Sequence, residues 1–125
     1  MELDRRRKLT EQSIQINPFD VKLRRTERIR SDTGGWKNET ITLPEQTFRM
    51  YLAGESTREI AKDGGTLQIK NREMLCPWNA DIKKDDEFKK DGVDYRVAVV
   101  NPVGYLGEVV SYQCVVEEVI PDGGG

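Results

Sequence analysis

The sequence predicts a mainly β protein: a small antiparallel β-barrel or sandwich of six to eight short strands, with one or two short helices. Three observations carry that reading. Ten of the eleven valines fall in the C-terminal third. Apolar residues there alternate with polar ones at the period of a half-buried strand. Turn chemistry recurs along the chain without long helical stretches between, which indicates an all-β architecture. A chain of 125 residues suits one domain. Folding at this size buries roughly two thirds of the unfolded surface, so disulfides or metals are not needed for stability. The expected divisions are an arm or short helix over residues 1–10, the barrel over 11–120, and a disordered tail over 121–125 that ends in three glycines.

Residues 1–9 are charged and rich in helix formers, but Leu3 and Leu9 are sparse anchors for a helix. Ile14 and Ile16 suggest a short strand ended by Asn17-Pro18. Val21, Leu23 and Ile29 alternate through a basic strand over residues 21–30, which Ser31-Asp32-Thr33-Gly34-Gly35 breaks. Residues 39–43 and 46–52 read as two strands across Pro44. Ser56-Thr57-Arg58-Glu59 has the pattern of a capping box. With Ile60-Ala61-Lys62-Asp63 and a Gly64-Gly65 stop it predicts a helix of barely two turns. Residues 66–75 are a further strand, with Leu67 and Ile69 on one face.

The C-terminal third is the clearest unit. Residues 87–90, Asp91-Gly92 and residues 93–100 predict a hairpin, because Asp-Gly supplies the positive φ angles of a type I′ turn. Val93, Tyr95, Val97 and Val99 would line its buried face. Asn101-Pro102-Val103-Gly104 predicts the next reversal. The last strand, about 106–119, places Val110, Tyr112, Cys114 and Val116 on one side, with Gly107 as a bulge or bend.

Composition bounds function. Histidine is absent, so a Ser-His-Asp triad, a Cys-His dyad or a histidine-ligated zinc site cannot be built within one chain. Cys76 and Cys114 are too far apart in sequence for a CxxC motif, and both lie in apolar, strand-like stretches that predict buried free thiols. No apolar run reaches the length of a membrane helix, and the charged start is unlike a secretory signal. The expectation is a soluble, cytoplasmic protein that is not an enzyme.

Charge is polarised. The net is −2 overall, but +4 over residues 1–30, −3 over 31–110 and −3 over 111–125. An acidic whole argues against general duplex-DNA binding, which needs basic residues gathered on one face. Arg5, Arg6, Arg7 and Lys8, with Arg24 and Arg28, form a candidate basic surface for an acidic partner; the alternative is a solvated surface. The acidic cluster Asp81, Asp85, Asp86, Glu87, Asp91 and Asp94 lacks calcium-loop spacing and reads as a solvated loop and hairpin edge. Glu117 and Glu118 are adjacent, so on a strand they point to opposite faces. Asn38-Glu39-Thr40 matches a glycosylation sequon, and neither glycine pair carries a phosphate-loop motif. Trp36 sits in a polar loop, where it either folds back or anchors a partner. Trp78 is expected to pack over a barrel end.

A denser pattern runs from Pro77 to Pro102: Pro77, Ala80-Asp81-Ile82, Asp86-Glu87-Phe88, Asp91-Gly92, Tyr95-Arg96-Val97, Val100 and Pro102. A valine-rich strand over 114–119 that contains two acidic residues completes it. On these residues the sequence resembles the head–tail connector proteins of tailed bacteriophages and prophages, in particular the head-closure or stopper group. The resemblance implies a small barrel that assembles as a ring under the portal and adaptor rings, helps retain packaged DNA and offers the tail a docking surface. It implies a virion neck protein, present in the host cytoplasm during assembly, with no cofactor and no membrane. The implied partners are copies of itself in the ring (with a monomer in solution), portal and adaptor proteins, and tail proteins. Packaged DNA would lie nearby without sequence-specific binding. The alternatives are another neck or tail subunit, terminator-like or tube-like, and an OB-like nucleic-acid-binding barrel. The OB-like reading needs aromatics on a basic strand face, and residues 21–30 hold none. Two loops are expected to face the channel or neighbouring subunits: residues 31–38, with Asp32, Gly34, Gly35, Trp36 and Lys37, and residues 53–66, with Glu55, Arg58 and Lys62.

Overall fold

The structure, a computed structural model, describes residues 1–62 and 65–119, with side chains described outside residues 52–70. One helix, α1 (Glu2–Ile16), precedes eight strands: β1 (Phe19–Val21), β2 (Arg24–Arg30), β3 (Trp36–Thr42), β4 (Gln46–Lys62), β5 (Gly65–Pro77), β6 (Glu87–Lys90), β7 (Val93–Tyr105) and β8 (Glu108–Glu118). They form a single antiparallel sheet in the order β1-β4-β5-β8-β7-β6-β2-β3. The fold is therefore mainly β, as the valine pattern predicts. The sheet curls without closing. Phe19 on β1 and Phe88 on β6 bring their ring centroids to 6.0 Å, although no ladder joins the two strands.

Inside the curl lie Leu23, Phe48, Met74, Cys76, Phe88, Val97, Cys114 and Val116, all fully buried or nearly so. Period-two alternation delivers them: Phe48 and Met50 from β4, Met74 and Cys76 from β5, Cys114 and Val116 from β8. The β6–β7 turn is as predicted, with Asp91 and Gly92 at φ +53° and +80°. Both φ angles are positive, as a type I′ turn requires.

Four of the predicted elements are corrected by the structure. Residues 14 and 16 are not a strand; α1 continues through Ile16 and buries Ile14 against the barrel. Residues 56–62 are not a helix. They are the far part of β4, paired with β5 from Ser56↔Asn71 to Lys62↔Gly65, because a short helix has little stability of its own and a pairing strand was at hand. The predicted reversal at 101–104 does not occur. β7 runs through Pro102 to Tyr105 and turns at Leu106-Gly107, at φ +51° and +79°. Pro102 is tolerated because β6 accompanies β7 only as far as Arg96, leaving that stretch an edge. Finally, a register shift between Val97 and Val99 turns the pleat over. Val100 thus replaces Val99 facing the core, and Val99 is exposed. The tail at 121–125 and the residues 63–64 lie outside the described residues.

Two ribbons leave the curl. Residues 56–62 of β4 and 65–71 of β5 pair with each other; among the described pairings only Asn71 also meets another strand. This arm leaves the end of the barrel where β6 turns into β7. The second ribbon is β2–β3, whose ladder runs from Arg24↔Thr42 to Arg30↔Trp36, while β2 meets β6 only at Arg24↔Glu87.

Candidate functional site: a basic ribbon and a helix clamp

The root of the β2–β3 ribbon is fixed by a buried ion cluster. Arg25 follows Val21 and Leu23 at the inward positions, and its guanidinium meets Asp86 through Nε–Oδ1 and Nη2–Oδ2 contacts, both 2.9 Å. A third contact runs from Nη2 to Asp81 Oδ1 at 2.9 Å. Asp86 is only 1% exposed. It also accepts the Lys83 backbone N–H at 2.8 Å, while Asp85 and Asp86 exchange backbone hydrogen bonds with Val97. The hydrogen bonds that Arg25 donates, to Asp86 first and also to Asp81, raise the arginine's pKa against the cost of burial. Asp86 is thus not part of a solvated loop. The missed signal was Arg25 itself, a cation at the inward step of an apolar alternation.

Beyond this root the ribbon sorts its residues by face. Directly paired residues share a face, so Arg24, Thr26, Arg28 and Arg30 lie with Trp36, Asn38, Thr40 and Thr42. All eight are exposed. The opposite face carries Glu27, Glu39 and Lys37 beside the half-buried Ile29 and Ile41. The front face therefore holds three arginines, a tryptophan and no carboxylate of its own. Trp36 is 59% exposed, and the Arg28 guanidinium sits 5.0 Å from its ring centroid. The indole is thus not folded back into a core. Thr26 and Thr40 hydroxyls pair at 3.2 Å, and Arg24 reaches Asp94 of β7 at 3.3 Å. The tip is the expected turn, with Gly34 and Gly35 at φ +86° and +80°, where a side chain would be strained. The Asp32 side chain is exposed there, and Lys37 lies on the ribbon's other face.

The N-terminal cations divide differently. Arg7 donates to the Val109 carbonyl at 2.9 Å, lies 3.8 Å from Glu108 and covers the Trp78 ring at 3.9 Å. Arg6 stacks over Tyr105 at 4.2 Å, and both Arg5 and Arg6 pair with Glu2. Arg6 and Arg7 clamp α1 to the β7–β8 end of the barrel. Lys8 is exposed. The clamp leaves Leu106 at the adjacent turn 85% exposed. The expected basic surface is thus split: one half holds the helix in place, the other forms the ribbon. Glu55, Arg58 and Lys62 all belong to β4 rather than to a loop, Arg58 and Lys62 in the arm and Glu55 in the register shift before it, and their side chains lie outside the described ones.

Cys76 and Cys114 are buried free thiols, as expected, with sulfurs 4.0 Å apart across β5 and β8. Burial pushes the Cys76 thiol well above its ordinary range.

No family model matches the chain, and no match to a curated protein was found. Among solved structures the fold is similar to that of a chain from the virion of a native gene transfer agent particle. The TM-score is 0.56 at 17% sequence identity, over 82% of this chain and 96% of that one. At this identity the likeness is one of fold.

Proposed function

We propose that the protein is a non-catalytic structural subunit of a phage-like virion. It forms a ring below the portal and adaptor, closes the head after DNA packaging and presents the tail its attachment surface. The observation that carries this reading is the likeness to a virion chain over nearly the whole of that chain's length. The resemblance of residues 77–119 to head-closure proteins narrows it to the neck. Two features of the barrel support assembly. The paired arm of residues 56–62 and 65–71 stands apart from the barrel ladder, and isolated two-stranded ribbons are marginal in water without something to pack on. At the opposite end, Leu106 and Trp78 place exposed apolar and aromatic surface beside the helix clamp. Different surfaces at the two ends suit heterologous contacts, the kind from which rings are built.

The test is to mix the purified chain with portal–adaptor complexes from the same genome and follow sedimentation. Co-migration as a ring-sized species is the expected result. Absence of any association would remove the neck reading, and association with tail tubes instead would mark a terminator-like subunit.

A further inference from the structure

The residues of the β2–β3 front face come from two strands on either side of a glycine turn, and the ladder register assembles them. We propose that this face is a binding surface for the phosphodiester backbone of DNA. Arg28 and Arg30 stand two residues apart on one strand, about 7 Å along it, with Arg24 a further four residues back. Thr26, Thr40, Thr42 and Asn38 supply neutral hydrogen-bonding groups between and beside them. Hydroxyl, amide and guanidinium groups are the side chains that position proteins on phosphates without reading sequence. The carboxylates of the ribbon, Glu27 and Glu39, are on the other face. Those that bear on the front are gathered at the Arg24 end, where Asp94 pairs with Arg24, Glu87 stands opposite it in the ladder, and Asp20 and Glu45 line the same hollow as Arg24 and Thr42; Asp32 lies at the tip. Arg28 and Arg30 are therefore the principal contacts. Trp36 serves as the platform over which the Arg28 guanidinium sits.

The occupant is chosen by charge complementarity. A chain of net −2 that gathers three arginines on one exposed ribbon face, with no acid among them, concentrates positive potential there. That satisfies the requirement which the acidic composition by itself fails. The proposal takes its biological setting from the neck reading above, but the binding belongs to the isolated chain and is measured on it.

The experiment is amide chemical-shift mapping of the ¹⁵N-labelled chain with a short mixed-sequence DNA duplex, at low and at physiological salt. Shifts confined to residues 24–30 and 36–42 are expected. The affinity should fall with salt at a slope near that of two to three displaced counter-ions, at about 0.9 per phosphate. Arg28→Glu with Arg30→Glu should weaken binding at least tenfold while the remaining spectrum stays folded, and Trp36→Ala by a fewfold. No shifts at low salt, or shifts centred on α1, would overturn the proposal. So would poly-glutamate reproducing the shifts more strongly than the duplex, which would assign the face to an acidic protein. Loss of duplex binding with portal–adaptor association intact would sink this inference alone. Duplex binding without that association would sink the neck reading alone.

Discussion

The β7–β8 hairpin and the β2–β3 ribbon are built from the same backbone pairing and have opposite fates. On β7–β8 the inward positions include Tyr95, Val97, Val110, Cys114 and Val116, and Val97 and Val116, directly paired, are fully buried. On β2–β3 the corresponding positions hold threonine, arginine and asparagine on one face and glutamate and lysine on the other, with Ile29 and Ile41 only half-buried. Burial of apolar area at about 25 cal/mol per Å² pulls the first hairpin into the barrel, and nothing comparable acts on the second. The ribbon is held at its root by Leu23, Leu43 and the Arg25–Asp86 pair, leaving its outer half available for contacts with other molecules.

That contrast can be broken most severely on the barrel side. Phe88 is fully buried between Phe19 and Tyr95, so Phe88→Ala is expected to cost about 4 kcal/mol, read as a drop in the urea midpoint. Next comes the junction. Asp86→Asn leaves a buried guanidinium without its bidentate partner and should cost about 3 kcal/mol. If the ribbon root depends on this pair, amide exchange in residues 24–30 will speed up more than in β8. A loss of protection spread evenly over both would show that the cluster serves the barrel and not the ribbon.

The smaller effects sharpen the comparison. Leu106 adopts φ +51° in a turn where asparagine is the favoured residue. Leu106→Asn should therefore stabilise the monomer by up to about 1 kcal/mol, measured by thermal unfolding, and weaken co-sedimentation if Leu106 is an assembly anchor. On the ribbon, Arg28→Ala should shift stability by less than about 0.5 kcal/mol. A larger loss in its denaturation curve would mean that the ribbon face has a structural role in the barrel and is not a free surface.

Much of the barrel was legible because strand period and turn chemistry are local. The Asp91-Gly92 hairpin follows from neighbours a few residues apart. The far half of β4 was not legible, since its capping-box pattern is a sound local preference that pairing with residues 65–71 overrides. The bulge after Val97 could not be read either, because valines at 97, 99 and 100 fit both pleat registers and only pairing with β8 selects one. For the candidate site the split is sharper. Trp36 and the arginines of residues 24–30 were each visible as unusual, but as members of two different surfaces.

What the sequence determined alone is the class of molecule and its inventory. Without histidine and with valines at alternate positions, it specifies a β fold carrying segregated charge, because those features depend on residue type and near neighbours. What only the tertiary structure decided is which cations meet which partners. Arg25 goes inward to Asp86 and Arg7 goes to Trp78, while Arg28 and Arg30 stay exposed beside Trp36. The reason is physical: a guanidinium takes whatever carboxylate, carbonyl or ring the fold brings within reach, and for Arg25 and Arg7 those groups lie more than fifty positions away along the chain.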